Sequence, residues 1–158
     1  MLTQEEINNT NWSQSVAGVC IKDGKVLLAR HTYGNGTGKL IIPGGYAKFG
    51  ELPEEVVVRE YQEETGITVK PENLLGIRFN EKDWYVVFAV SYVEGEARSD
   101  GDENSEVVWK DAQEALVDDT VPDLTKMMIR CALSTEGMAL TPYQTTRPRN
   151  ELYTGLKA

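Results

Sequence analysis

The sequence predicts an α+β fold, an α/β/α sandwich in which helices flank a central mixed β-sheet. Three observations carry that expectation. Two pairs of β-rich runs, 15–22 with 25–32 and 74–80 with 84–93, are each joined by a few turn residues. A well-punctuated helix, 53–65, separates the pairs, and an amphipathic helix, 122–133, follows them. The length of 158 residues fits one domain with a real hydrophobic core, read here as 1–134 with a polar tail over 135–158.

In chain order, residues 1–13 are a polar lead-in. SVAGVCIK and KVLLARHT form a hairpin around Asp23-Gly24, a pair that favours a tight turn. A glycine-rich loop, YGNGTG, leads to a short apolar strand at 39–42, which Pro43-Gly44-Gly45 ends. Pro53 suits the first turn of a helix, Glu54 and Glu55 favour its positive end, and Gly66 stops it. LLGIRFN and WYVVFAVSYV form a second hairpin through Glu81-Lys82-Asp83. An acidic loop, EGEARSDGDEN, precedes a short strand, EVVWK, and residues 111–116 form a further short helix. The tail contains Arg147 and Arg149 and is read as disordered, packed on the domain, or packed on the partner of a homodimer.

The bulk numbers exclude several classes. A composition of 41% hydrophobic and 26% charged residues leaves no case for wholesale disorder. A net charge of −9 disfavours a nucleic-acid polymer or an anionic membrane as the main partner, because each needs a basic face. It also repels a polyphosphate unless cations intervene. Cys20 and Cys131 lie in apolar runs and read as free buried thiols. The start of the chain lacks the pattern of a signal peptide, no run reaches membrane-spanning length, and a cytoplasmic location is the default expectation.

The chemistry concentrates at the end of the 53–65 helix. At 100° per residue, Glu60, Glu63 and Glu64 fall within about 100° of one another. Glu60 and Glu64 are a like-charged i, i+4 pair, and Glu63 and Glu64 sit at the negative end of the helix dipole. Local stability opposes this placement. A hard divalent cation would offset it, since oxygen ligands at this spacing suit Mg²⁺ or Mn²⁺. A solvated acidic face is the plainer reading, and the surrounding spacing weighs against it. Gly45 is followed after five residues by Glu51, after seven more by Arg59-Glu60, then by Glu63-Glu64 and Gly66.

That spacing resembles the Nudix box, with all seven fixed positions present. A chance match is on the order of one in 10⁸ per starting position at average residue usage. Tyr61 fills a slot that is usually aliphatic, and Lys48 stands where many members carry an acid. The resemblance implies the Nudix fold and a hydrolase that cleaves the pyrophosphate linkage of a nucleoside diphosphate derivative with Mg²⁺ or Mn²⁺. Nucleoside triphosphates, dinucleotide polyphosphates and nucleotide sugars all remain open. It implies that Glu60, Glu63 and Glu64, with the carbonyl of Gly45, are metal ligands, and that Arg59 pairs with Glu51. The general base is left between a box glutamate such as Glu63 and an acid of the later loop, with Glu103 preferred.

For substrate, Tyr33 and Tyr85 are candidate stacking partners, alongside Phe79 and Trp84, and Arg30, Lys39 and Arg78 are candidate phosphate cations. Members acting on diadenosine polyphosphates often carry a tyrosine near the position of Tyr85; members acting on ADP-ribose often carry a proline there, absent here. SDGDENSEVVWKD imitates a calcium loop but has Ser105 at the glycine position. GNGTGKL imitates a phosphate loop but has Leu40 at the Ser/Thr position. His31, the single histidine, has no nucleophile motif to serve. A non-catalytic nucleotide-sensing module on the same fold is the second reading; such modules often lose box glutamates, and this chain retains them. A purely acidic interaction domain leaves the spacing unexplained.

Overall fold

A computed structural model of the chain describes residues 1, 3–5 and 13–157, so the polar lead-in expected over 1–13 lies largely outside the described residues. The elements are β1 (Ser13–Lys22), β2 (Lys25–His31), β3 (Leu40–Ile41), β4 (Gly44–Tyr46), α1 (Pro53–Thr65), β5 (Thr68–Phe79), β6 (Asp83–Glu94), β7 (Asn104–Asp111), α2 (Ala112–Ala115), α3 (Asp123–Ser134), β8 (Ala139–Leu140) and β9 (Tyr153–Thr154). A single 3₁₀ turn, Gly34–Gly36, lies in the glycine-rich loop.

The main sheet runs β3-β2-β1-β6-β5, with β4 also on β1 and β7 also on β2. β1 and β6 are parallel and the other pairs antiparallel, so the sheet is mixed, as expected. Alternation along β1 builds two cores. Ala17 and Val19 pack with Met128 and Ile129 of α3; Val16 and Cys20 pack with Val56, Val57 and Tyr61 of α1. Each fully buried aliphatic or aromatic side chain contributes about 1.5–3 kcal/mol.

The punctuation of the sequence is realised at both ends of α1. The Glu55 carboxylate accepts from the Leu52 N–H at 3.0 Å, and Gly66 takes φ 75° while its N–H donates to Gln62 O at 3.1 Å. Tyr61, the departure from an aliphatic slot, is buried and donates its hydroxyl to Gly18 O, which supplies the partner a buried phenol needs. Asp23 and Gly24 both take positive φ, as a type I′ hairpin requires.

Two differences from expectation have physical causes. Gly44-Gly45 does not merely end a strand; it begins β4, pairing with Val16 and Ala17. β5 starts at Thr68 rather than 74, because register shifts on both sides of Pro71–Leu74 absorb the proline within a strand at the end of the sheet order. The tail packs on its own chain. Met138 exchanges backbone hydrogen bonds with Leu74 at 2.9 and 2.8 Å, Arg149 donates to Gly50 O at 2.8 Å, and the Tyr153 ring meets Phe88 edge-on at 5.4 Å.

Candidate active site

α1 seats on the sheet through Val56, Val57 and Tyr61, and its acidic side does not simply face water. Glu60 and Glu64 are only 8% and 5% exposed, whereas the Glu63 side chain is 54% exposed. The explanation is their helical phase: Glu60 and Glu64 border Tyr61 and Val57, and Glu63 stands further round.

Arg59 organises the charges around it. Its Nε and Nη2 grip Glu51 at 2.8 and 2.9 Å, its Nη1 reaches Glu60 at 2.8 Å and Glu63 at 3.2 Å, and Nη2 also donates to Tyr46 O at 3.1 Å. The fork on Glu51 is the expected pair, braced by the Lys48 N–H at 2.7 Å. That bond comes from the backbone, so a lysine at this position leaves it intact. The guanidinium holds the Glu51 carboxyl down at about 2. Part of the repulsion at the helix end is therefore relieved by Arg59 itself.

Glu64 is not relieved in this way. Burial, then the Glu60 charge, push its carboxyl up to about 9, against one backbone hydrogen bond from Gly44 N–H at 3.3 Å. Glu103 and Asp100 add to the same effect, so the acidic loop delivers its carboxylates to the helix end. Burial and then Glu60 raise Glu103 as well. Tyr33 is raised by burial and then by Glu103, Glu64 and Glu60, which sets its phenol in the same field.

The remaining sequence candidates do not gather there as free groups. Arg30 is bound to Glu106 at 3.0 Å and to Gly38 O at 2.9 Å. Arg78 is bound to Asp83 at 2.6 Å and lies 5.5 Å from the Tyr85 ring centre, so each candidate occupies the other. Lys39 is exposed beside β3, its N–H on Gly36 O. Two residues were missed. Tyr46 is exposed beside Tyr33 and Arg59, hidden in a segment read as a strand stop. Asn104 is 2% exposed and donates Nδ2–H to Glu64 O at 2.9 Å. Its spacing from the box carries no signal, because a β-bulge aims it.

Among the described residues, no three His, Cys, Asp or Glu side chains are drawn close enough to hold an ion together. Glu60 and Glu63 are both engaged by Arg59 instead, at 2.8 and 3.2 Å. The donor chemistry nevertheless fits a hard cation: two buried carboxylates, Glu60 and Glu64, the second with a raised pKa, and a backbone cradle at Gly45. A Cβ at Gly45 would come within 2.5 Å of the Glu60 carboxylate, so any larger residue there would displace that carboxylate. Placing two buried carboxylates together without a cation is unfavourable.

These features define a class: α/β/α domains whose helix end, strand and acidic loop converge on one carboxylate group. The NUDIX domain profile matches residues 12–131, and the chain belongs to the Nudix family. It is 35% identical over 104 residues to an ADP-ribose pyrophosphatase of Methanocaldococcus jannaschii, covering 61% of this chain and 60% of that protein. It is 43% identical over 77 residues to a MutT-like protein of Streptomyces ambofaciens, covering 49% of each. The chain thus spans between about half and three fifths of these relatives. The crystal structure of a NUDIX hydrolase from Nitrosomonas europaea superposes with a TM-score of 0.71 at 20% identity, over 82% of this chain and 77% of that one. At that identity the likeness speaks for the fold.

Proposed function

We propose that this protein is a divalent-cation-dependent hydrolase of the pyrophosphate linkage in a small nucleoside diphosphate derivative. The observation that supports it most is the complete box, whose buried Glu60 and Glu64 carboxylates lie against the Gly44–Gly45 backbone at the end of α1. Glu60, Glu63 and Glu64, with Gly45, would hold Mg²⁺ or Mn²⁺, and Glu63 would exchange Arg59 for the ion. When bound, the cation neutralises phosphate oxygens and acidifies water.

The chain's own groups supply the rest. Arg59 and Glu51 lock β4 and its loop against α1. Glu103, raised by burial and neighbouring carboxylates, is suited to accept the proton of the attacking water. Tyr33 and Tyr46, exposed at the rim, offer faces to a nucleobase. The named relative makes ADP-ribose a substrate to test first, with diadenosine polyphosphates and nucleoside triphosphates beside it.

The test is a panel of these compounds with Mg²⁺ and with Mn²⁺. At least one should turn over, and Glu63→Gln or Glu64→Gln should reduce that rate by about 100-fold or more. A panel that binds but is never cleaved with either ion would favour a sensing module instead.

A further inference from the structure

Asn104 is the least expected residue of the site. Between β2 and β7, Ala29 pairs with Val107 and Arg30 with Glu106, yet His31 pairs with Asn104 rather than Ser105. Ser105 is therefore the extra residue of a bulge. In an unbroken strand Asn104 would share the face of Glu106. The bulge turns it to the other face, the one on which Leu27 and Val107 pack with α1.

There Nδ2 donates to Glu64 O at 2.9 Å, one of the last carbonyls of α1. The backbone of Asn104 is held equally closely. Its N–H donates to Asp100 Oδ1 at 3.0 Å, and its carbonyl accepts from Ser99 Oγ at 2.9 Å. On the far side of the loop, Thr32 donates its N–H to Glu103 O at 3.1 Å and its hydroxyl to Asp102 O at 2.6 Å. Glu103 is thus fixed between a side chain bonded to α1 and a backbone bonded to the end of β2. Asn104 Oδ1 is buried without a hydrogen-bond partner among the described residues. Only the Nδ2 end of the carboxamide is engaged by the protein.

We propose that Asn104 is the positioning residue that holds Glu103 against the carboxylates of α1; this rests on the hydrolase reading above. It touches neither substrate nor cation and acts through the loop.

The test compares Asn104→Leu, Glu103→Gln and the double variant. Asn104→Leu should lower kcat by about 10–100-fold, as displacement of a reacting group does, with KM within about twofold. The double variant should be no slower than Glu103→Gln alone, within about threefold, because both changes disable one group. Amide hydrogen exchange should rise across 99–104 and stay unchanged in β1 and β6, a readout independent of turnover. Should Asn104→Leu fold poorly, Thr32→Val loosens the same loop from its exposed side and should lower kcat by about 3–10-fold at constant KM. Wild-type protein that hydrolyses nothing overturns both readings. Active wild type with multiplying losses in the double variant, unaltered loop exchange, or an undiminished kcat overturns this one alone.

Discussion

At Glu64 burial and a neighbouring like charge act in the same direction, and the consequence is measurable without substrate. Its folded pKa of about 9 lies above the ordinary value of 4.5. The folded chain therefore keeps a proton that the unfolded chain releases. The stabilisation is full below pH 4.5 and is lost as pH rises through about 9. In metal-free buffer the melting temperature should fall from pH 6 to pH 9, and Mg²⁺ should restore it. Glu64→Gln should raise the metal-free melting temperature at pH 8, by about 2–4 °C per kcal/mol relieved, while abolishing activity. Calorimetry on the two proteins checks both signs. Glu51 behaves oppositely. Held at about 2 by Arg59, it stabilises above pH 4.5, and that contribution disappears as pH falls through 2. Arg59→Lys keeps the charge but not the fork, and should lower turnover by about tenfold or more and shift acid unfolding to higher pH.

Among the elements, the tail that crosses α1 carries its own titration. Tyr153 donates its hydroxyl to Glu54, Arg149 pairs with Glu55, and Glu151 stands against Glu54 with a buried oxygen that lacks a partner among the described residues. Burial and the Glu54 contact raise Glu151 to about 7. Its contribution is present below pH 4.5 and lost as pH rises through 7. Protection against hydrogen exchange over 138–154, taken relative to the intrinsic rate at each pH, should fall between pH 6 and pH 8, and Glu151→Gln should remove that fall. Tyr153→Ala, which loses the Glu54 bond and the Phe88 contact, should cost about 1–3 kcal/mol by denaturant unfolding. The boundaries of α1 were legible because Pro53, Glu55 and Gly66 each act within one turn of their own position. β4 was not, because a Gly-Gly step reads as a break unless the partner strand is known. Asn104 was not either, since a one-residue bulge leaves no pattern in the sequence. The acidic loop was legible as acid, and only the family resemblance suggested where it goes, since its destination depends on the pairing of β2 with β7.

For the molecule as a whole, a net charge of −9 surrounds the site proposed here for an anionic substrate. The substrate candidates Arg30 and Arg78 are already paired with Glu106 and Asp83. Of the three candidates only Lys39 is left exposed, so on the proposed reading most of the positive charge would arrive with the substrate as a divalent cation. Nucleotide binding in EDTA should be at least tenfold weaker than with Mg²⁺, and titration calorimetry in the two buffers measures that coupling. The cores and the mixed sheet were readable from alternation and turn residues, because both follow from local periodicity. The commitment of Arg78 to Asp83 and Tyr85 was not, because it depends on which hairpin residues end up opposite.

β1 has three partners: β2 and β4, which lie close by in the chain, and β6, joined in parallel from Ser13↔Asp83 to Cys20↔Val90. On a ribosome, its early hairpin can close as soon as residues 25–31 emerge, but its other edge stays open until β6 has been synthesised. A nascent chain paused before that point exposes a long apolar strand edge, and chaperone capture should concentrate in this interval of synthesis.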